Sequence, residues 1–276
     1  QQEALSFAAN GLDLVVVSEE IEAYAQTVAQ AESLTRPGPT LKMYQAAARR
    51  LKAHLAASMK VREGGCVFNS LVFISPRGKV LGVYHKSNLT IGEIEEGLSP
   101  GKGAVVVDTP IGRLGGIICF DLNFSWLRDE YAKLAPDILC FASMYHGGDA
   151  VQSAWTIQCR SFLVSALPYA DPPLLGGIRD PLGQPLAIAN CYVQAPRARL
   201  NLDRVVVHLD YNRDQFPRIE RKYGCEVRIE IPPDLGQAVI YSESPRRSAM
   251  DLVREFNLEL RDDYFVRALA RNAAAR

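Results

Sequence analysis

The chain has 276 residues, 48% of them hydrophobic and 22% charged, which is enough for a globular protein with a large buried core. Its 31 basic and 31 acidic side chains cancel, so no overall field favours nucleic acid or an anionic membrane. The longest apolar runs are far shorter than the ~20 residues that a membrane-spanning helix needs.

Short β-branched runs alternate with longer amphipathic segments, which predicts an α/β fold whose strands are covered by helices. Strands are predicted over 13–18, 67–74, 80–84, 104–108, 114–119, 137–142, 163–167, 185–190 and 204–210. Helices are predicted over 20–33, 40–58, 125–134, 149–162, 249–258 and 262–272. The turns at 75–78 and 109–112 predict hairpins, so we expect a mixed sheet.

The pattern changes at about residue 212, where charged segments with less regular apolar spacing begin. We therefore expect a main domain over residues 1–211. Residues 212–276 are expected to form a C-terminal extension that has no core of its own and packs on the body or on a partner subunit.

The six cysteines are scattered without a CxxC pair or a Cys/His ligand spacing, which argues against a zinc site. Most lie in or beside apolar segments, as free cysteines do in a reducing compartment. The N-terminus shows no basic segment followed by an apolar one, and so we expect a cytoplasmic protein.

Polar side chains follow three predicted strands at the points where those strands end, namely Glu19, Lys86 and Cys119. In layered α/β folds, the carboxyl ends of neighbouring strands form the binding crevice, so these residues can meet in space. A thiolate can attack a carbonyl or nitrile carbon, an ammonium lowers the thiol pKa and stabilises the oxyanion, and a carboxylate transfers the proton. This chemistry needs no metal and no organic cofactor.

Each of these residues alone has an ordinary structural interpretation. A cysteine at a strand end is more often a packing residue than a nucleophile. Lys86 alone is an exposed lysine after a strand, and Glu19 alone is a residue that suits the first turn of a helix. Only the coincidence of the three favours catalysis. The remaining cysteines are expected to be structural: Cys66, Cys140, Cys159, Cys191 and Cys225.

Four stretches resemble motifs of the nitrilase or carbon-nitrogen hydrolase superfamily. Residues 13–19 (DLVVVSE) are similar to DLVVFPE, and residues 84–89 (YHKSNL) are similar to YRKxHL. Residues 115–126 (GGIICFDLNFSW) are similar to GxxICYDxxFPE, and residues 63–70 (EGGCVFNS) are similar to (D/E)GGxxYNS. The resemblance extends over roughly residues 8–210 and implies a four-layer αββα sandwich that assembles into homodimers or larger homo-oligomers.

The same resemblance implies a role for each site residue. Cys119 attacks the substrate carbon, and Lys86 stabilises the oxyanion together with the backbone amide of Phe120. Glu19 takes the thiol proton, gives it to the leaving amine and then activates the water that releases the thioester. Asp121 is expected to brace the turn that carries Cys119.

A second carboxylate is expected in the loop before the cysteine strand, where Glu93, Glu95 and Glu96 all stand. The stretch 96–101 is similar to EGWYPG of aliphatic amidases, which slightly favours Glu96. Glu93 is the alternative, because biotinidase and pantetheinase-like members place a glutamate soon after a similar YHKYNL segment. The candidate walls of the substrate pocket are Tyr145, His146 and Trp155.

The sequence also departs from the family. Val17–Ser18 replaces Phe-Pro, Ser125–Trp126 replaces Pro-Glu, and the Glu-Asn pair expected near 160–162 is absent. The first strand of the family is missing, so the chain is expected to begin within the first helix at residues 1–10.

These observations favour a cysteine-dependent hydrolase of a small linear amide or carbamoyl compound. Phe120–Asp121 resembles amidases and carbamoylases, whereas nitrilases carry Trp-Glu after the nucleophile. Two alternatives stay open: a non-catalytic regulatory or binding protein on the same scaffold, and an N-acyltransferase that passes the acyl group to an amine.

Overall fold

The structure is a computed structural model that describes residues 11–19, 26–168, 176–190 and 192–276. The chain divides into two compact units, Gln1–Ala198 and Arg199–Arg276. The predicted start of the chain at residues 1–10, residues 20–25 of the predicted helix 20–33, and Cys191 lie outside the described residues. The rest of that predicted helix holds only a single 3-10 turn at Val28–Gln30.

In the described part of the first unit, four strands form one mixed sheet in the order β1-β2-β3-β4. The strands are β1 (Leu14–Val16), β2 (His54–Glu63), β3 (Cys66–Ile74) and β4 (Val80–His85). β1 pairs parallel to β2, whereas β2, β3 and β4 pair antiparallel, which confirms the predicted hairpin at 75–78.

A second mixed sheet of the first unit has the order β10-β9-β8-β7-β6-β5 in the described residues. Its strands are β5 (Val106–Thr109), β6 (Gly112–Ile118), β7 (Ile138–Ala142), β8 (Phe162–Ala166), β9 (Gly177–Arg179) and β10 (Pro185–Ile188). β6, β7 and β8 run parallel, and β5 pairs antiparallel to β6, which confirms the hairpin at 109–112.

The two sheets of the first unit pack face to face and are separated by little space. A Cβ atom added at Gly116 would lie 2.8 Å from the Cβ of Tyr84, and one at Gly82 would lie 2.6 Å from a methyl group of Val107. Both positions therefore need a residue without a side chain. This close packing places the ends of β4 and β6 beside each other.

Helices cover the outer faces of both sheets. Helix α1 (Pro39–Leu51) packs Leu41, Tyr44 and Ala48 against the first sheet. Helices α3 (Ser125–Leu134) and α4 (Asp149–Cys159) cover the second sheet, and a short helix α2 (Ile91–Glu95) lies between β4 and β5 in the chain. The predicted four-layer αββα sandwich is confirmed.

Residues 54–58 of strand β2 were predicted as the end of a helix over 40–58, and that prediction is wrong. Helix α1 ends at Leu51 because Lys52 adopts a left-handed conformation with φ 53°. Residues 54–61 of β2 are all buried, since helix α1 covers one face and the second sheet covers the other. A strand buried on both faces lacks the polar and apolar alternation that identifies strands in a sequence.

The C-terminal unit contains β11 (Arg204–His208), β12 (Val227–Glu230) and β13 (Gln237–Ser242), which form an antiparallel sheet in the order β11-β13-β12. Its helices are α5 (Phe216–Tyr223), α6 (Ala249–Phe256) and α7 (Arg261–Ala274). The unit has its own apolar core, which corrects the expectation that it has none. Its core residues include Val205, Val207, Phe216, Ile219, Ala238, Ile240, Leu252 and Val253.

The missed core has a physical explanation. Its apolar side chains come from short elements of at most eight residues, and charged residues on the outer faces separate them in the sequence. The contacts place the limit of the unit at Arg199, whereas the sequence suggested 212. That residues 212–276 pack on the body or on a partner subunit stays a prediction. In the described residues, the helices are too short and too polar to cross a bilayer.

Candidate active site

Cys119 lies where β6 ends and a short 3-10 helix, Cys119–Asn123, begins. Its backbone is left-handed, with φ 47°, which is strained for a residue other than glycine. The preceding strand residues Ile117 and Ile118 are fully buried, whereas Cys119 is half-buried. The strand thus anchors the backbone in the core and the sharp turn brings the sulfur to the rim of the sheet.

Asp121 braces this turn, as expected from the sequence. Its Oδ2 accepts hydrogen bonds from the hydroxyl of Tyr84 at 2.7 Å and from the backbone N–H of Ile118 at 3.2 Å. Its Oδ1 accepts from the backbone N–H and the side-chain amide of Asn88, at 2.8 and 2.9 Å. The carboxylate therefore ties the turn of Cys119 to the segment that follows β4. Burial raises the pKa of Asp121 to about 6, although these donors act in the opposite direction.

Replacing Asp121 with asparagine is expected to lower the free energy of unfolding by about 2–3 kcal/mol, because an amide NH₂ would face donors that need an acceptor. Urea denaturation measures the change. The control is Asp129→Asn on α3, whose half-exposed carboxylate contacts only Arg128, at 3.7 Å, among its ion-pair partners in the described residues. That control should change stability by less than about 0.5 kcal/mol. Equal stability of the two variants would contradict the bracing role.

Lys86 forms the centre of a buried ion cluster. Its Nζ lies 3.0 Å from Oε1 of Glu19 and 2.8 Å from Oε2 of Glu93. Lys86 is 1% exposed, Glu19 4% and Glu93 13%, so the three charges are largely removed from water. The motifs at the ends of β1 and β4 thus place the predicted lysine and glutamate in direct contact.

The charges of this cluster stabilise one another. Burial alone would lower the pKa of Lys86, but the carboxylates of Glu19 and Glu93 outweigh it and raise that pKa above its ordinary value. Burial likewise opposes ionisation of Glu93, yet Lys86 and a hydrogen bond from Asn69 hold the pKa of Glu93 below its ordinary value. At neutral pH the cluster therefore holds one cation and at least one anion.

The Cys119 thiol contacts this cluster through Glu19, to which it hydrogen-bonds. The backbone N–H of Met144, just after β7, donates to Oε2 of Glu19 at 3.1 Å and also to the sulfur. Glu19 and Cys119 therefore share the Met144 amide. Sequence reasoning missed this amide, because any residue at position 144 other than proline supplies it.

The Cys119 thiol is uncharged at neutral pH. Burial and the charge of Glu19 raise the pKa of Cys119 to about 11, and Lys86 only partly opposes them. The sequence led us to expect that the cation lowers this thiol pKa. Lys86 does lower the pKa of Cys119, but burial and the carboxylate of Glu19 raise it by more. Any reaction at this sulfur near neutral pH therefore needs a group that accepts the thiol proton.

We expect the thiolate absorbance of Cys119 to appear only in alkaline solution, near pH 11. Ultraviolet difference titration of the wild type against Cys119→Ala isolates this thiol from the other cysteines. A thiolate signal at neutral pH would show a preformed thiolate-ammonium pair and would contradict the uncharged resting state.

Glu93, and not Glu96, lies in the cluster. Thr90 caps helix α2, and both its backbone N–H and its hydroxyl donate to Oε2 of Glu93, at 2.8 and 3.1 Å. This cap directs the Glu93 carboxylate toward Lys86. The side chain of Glu96 is 60% exposed and its Oε2 lies 3.4 Å from Lys60, outside the cluster. Glu95 is also exposed.

A sequence signal for Glu93 was present. Thr90-Ile91-Gly92-Glu93 has the spacing of a capping box, in which the fourth residue folds back onto the start of the helix. That pattern distinguishes Glu93 from the two later glutamates, whereas the similarity to amidase motifs favoured the wrong one.

The predicted pocket residues divide into two groups. The hydroxyl of Tyr145 accepts a hydrogen bond from Asn123 at 2.7 Å, and the pKa of Tyr145 is raised, mainly by burial, with a further contribution from the charge of Cys119. Phe120 lies in the first turn of the 3-10 helix, where backbone N–H groups lack helical acceptors. Both residues therefore lie beside Cys119.

Trp155 does not form a wall with them, whereas a pocket role for His146 stays a prediction. Trp155 is 1% exposed, packs against Tyr131 and donates from its indole nitrogen to the carbonyl of Leu122 at 2.8 Å. It therefore supports the turn after Cys119 from the core, because its place on the inner face of α4 leaves no access to a pocket. His146 is half-buried, and its Nε2 lies 3.4 Å from Asp149.

Comparisons with known proteins identify the family of the chain. The sequence profile of the carbon-nitrogen hydrolase family matches residues 2–163, more than half of the chain. The bifunctional nitrilase/nitrile hydratase NIT4 of Oryza sativa subsp. japonica is 32% identical over 111 residues, which cover 40% of this chain and 31% of NIT4. The omega-amidase NIT2 of Danio rerio is 28% identical over 119 residues, 40% of this chain and 43% of NIT2.

A solved structure shares the fold. It is a variant of the amidase from Nesterenkonia sp. AN1 in which the acetamide moiety of fluoroacetamide is covalently attached to the active-site cysteine. The TM-score is 0.60 at 18% identity, over 80% of this chain and 89% of the amidase. The chain spans less than half of the length of either curated relative. The profile match, together with the αββα fold, shows that the chain belongs to the carbon-nitrogen hydrolase family.

Proposed function

We propose that this protein hydrolyses the C–N bond of a small linear amide or carbamoyl compound through a thioester on Cys119. The observation that carries the proposal is the contact of the Cys119 thiol with Glu19, which is itself paired with Lys86. A nucleophile, a proton acceptor and a cation are the groups that acyl transfer to a thiol requires.

Acylation begins when the sulfur attacks the carbonyl carbon. Glu19, which hydrogen-bonds to the thiol, accepts the thiol proton. Negative charge then develops on the carbonyl oxygen. Lys86 carries three N–H donors, two of which point to the carboxylates of Glu19 and Glu93, so that the third is available to this oxygen. The backbone amide of Phe120 supplies a second donor.

The tetrahedral intermediate collapses when the C–N bond breaks. Glu19 returns its proton to the leaving nitrogen, which departs as ammonia or an amine, and the acyl group stays on Cys119 as a thioester. Water then attacks the thioester with Glu19 as the base, and the acid is released with the thiol restored. The net reaction consumes one amide and one water and leaves the enzyme unchanged.

The relatives support this substrate class without defining it. An omega-amidase and a cysteine-modified amidase share the family or the fold, and a nitrilase is among the relatives as well. Phe120–Asp121 after the nucleophile favours amides over nitriles by its resemblance to the amidase and carbamoylase branches. We therefore propose a primary amide or an N-carbamoyl group as the reacting function.

Ammonia release from a panel of acetamide, propionamide, N-carbamoyl-β-alanine and propionitrile tests the proposal. We expect release from at least one amide or carbamoyl compound, with no release by Cys119→Ala. The matched control is Cys66→Ala, which removes an exposed cysteine at the β2–β3 turn and should retain full activity. Wild-type protein that releases nothing from the panel would favour the non-catalytic alternative.

A second arm separates hydrolysis from acyl transfer. Hydroxylamine at increasing concentration is added to the reaction, and the hydroxamate is measured against the free acid. A hydrolase should yield mainly acid at low hydroxylamine concentration. Hydroxamate formed with little or no free acid, so that the acyl group leaves Cys119 only when an amine acceptor is present, would favour the N-acyltransferase.

A further inference from the structure

We infer that Asn69 is a positioning residue that aligns the two carboxylates of the active site with Lys86. This inference rests on the proposed function, since it assigns a task in that reaction. Asn69 lies on β3 within the EGGCVFNS stretch. The resemblance to the family implied no role for this residue.

The side-chain amide of Asn69 bridges Glu19 and Glu93. Its Nδ2 donates to Oε1 of Glu19 at 2.9 Å and to Oε1 of Glu93 at 2.8 Å. The same two oxygens accept from Lys86, at 3.0 and 2.9 Å. Asn69 and Lys86 therefore link the same pair of oxygens from two directions and close a ring of four hydrogen bonds.

The ring uses one oxygen of Glu19 only. Oε1 of Glu19 is held by Asn69 and Lys86, whereas Oε2 accepts from the Met144 amide, which also interacts with the sulfur of Cys119. A carboxylate held at one oxygen by two donors has a fixed orientation toward the neighbouring thiol. A shift of about 1 Å in such a group can lower the rate on the order of 10²-fold.

The choice of asparagine follows from its donors. An NH₂ group supplies two N–H donors without adding charge, so it reduces the repulsion of two adjacent carboxylates and leaves the net charge of the site unchanged. The reversed orientation would point a carbonyl oxygen at two anions, which fixes Nδ2 as the bridging atom. Without Asn69, Lys86 would be the only one of these two side chains to donate N–H groups to both carboxylates.

Burial gives independent support. Asn69 is 1% exposed, and its Oδ1 has no hydrogen-bond partner within the described residues. An unpaired buried acceptor costs about 1–3 kcal/mol, so an apolar residue would serve folding better at this position. The backbone of Asn69 also holds Lys86 in place. Its carbonyl accepts a hydrogen bond from the Lys86 N–H at 2.8 Å, just after β4 ends.

The test compares Asn69→Leu and Asn69→Asp, which both keep the size of the side chain, with Ser70→Ala as the control. Ser70 is the next residue on the strand and is equally buried, but its hydroxyl pairs with His85 at 2.7 Å and not with the cluster. The measurement is kcat and KM against pH on the amide that the wild type hydrolyses, together with the Tm of each variant.

We expect Asn69→Leu to lower kcat by on the order of 10²-fold with KM changed far less, because the residue aligns groups that react and not the substrate. The acid limb of the pH profile should move up by about one pH unit, because Glu93 loses a donor that stabilises its charged form. Asn69→Asp should move it further, since a third carboxylate joins Glu19, Glu93 and Lys86 and lies near Cys119. Ser70→Ala should keep the wild-type profile.

A purely structural role would lower Tm or the amount of active protein and leave the midpoint of the acid limb in place. That result in both Asn69 variants overturns the inference. If Asn69→Leu does not fold, Asn69→Asp decides alone. If the wild type hydrolyses no amide, the proposed function fails, and the pH dependence of Cys119 alkylation by iodoacetamide then tests Asn69. The added carboxylate of Asn69→Asp should move the alkaline rise of alkylation to higher pH than in the wild type, whereas an unchanged profile overturns the inference.

Discussion

Replacing Lys86 with methionine is expected to reduce both catalysis and stability. The side chain keeps its length but loses the charge and all three donors. Loss of one oxyanion donor costs about 10²–10³-fold in kcat. Removal of the cation also leaves Glu19 and Glu93 buried side by side without a counter-charge, which should lower the free energy of unfolding by about 3–5 kcal/mol.

The stability loss should depend on pH in a definite direction. Lys86 holds the pKa of Glu93 below its ordinary value near 4.5, so the contribution of Glu93 is present above that value and is lost as the pH falls through the lower, folded-state pKa. The difference between the wild type and Lys86→Met should therefore be largest at neutral pH and should shrink in acid. Urea denaturation at several pH values measures this.

A double variant separates the two effects. Lys86→Met combined with Glu93→Gln removes one of the uncompensated charges and should recover part of the lost stability, with no recovery of activity. The control is Lys52→Met, an exposed lysine at the end of α1. If Lys86→Met is as stable and as active as Lys52→Met, the ion cluster has neither of the roles assigned to it.

The glutamates should differ sharply in their effects on activity. Glu19→Gln is expected to lower kcat by about 10³–10⁴-fold, because the amide cannot accept the thiol proton although it keeps the shape of the side chain. Glu93→Gln should cost less, on the order of 10²-fold or below, since Glu93 contacts Lys86 and Asn69 but not the thiol.

Glu96→Gln supplies the matched control for both, because Glu96 lies three residues from Glu93 and its carboxylate contacts Lys60. We expect wild-type kcat and KM for this variant. Steady-state kinetics with the same amide measures all three changes. An effect of Glu96→Gln equal to that of Glu93→Gln would mean that the second carboxylate was assigned to the wrong residue.

The sequence predicted the site residues where a reactive side chain directly follows a predicted strand. Glu19, Lys86 and Cys119 each follow an apolar run, and the parallel and antiparallel pairing of the sheets brings such ends together. The brace at Asp121 was also predictable, because a carboxylate two residues after the nucleophile can reach back to the strand.

Other features depend on three-dimensional packing that local patterns do not encode. Strand β2 is covered on both faces, so its sequence lacks alternation, and its alanines suit a helix equally well. The Met144 amide carries no side-chain signature. Trp155 was predicted as a pocket wall, but helix α4 places it in the core. Asn69 stood in a recognised motif, and only its contacts show which groups it joins.

Cys119 is proposed to carry the acyl group during turnover. Rapid acid quenching of the wild type with a hydrolysed amide, followed by intact-mass and peptide analysis, tests this step directly. We expect an added mass equal to the acyl group on the peptide that contains Cys119, absent in Cys119→Ala and reduced in Glu19→Gln. Continued turnover by Cys119→Ala, or an acyl group found on another residue, would contradict it.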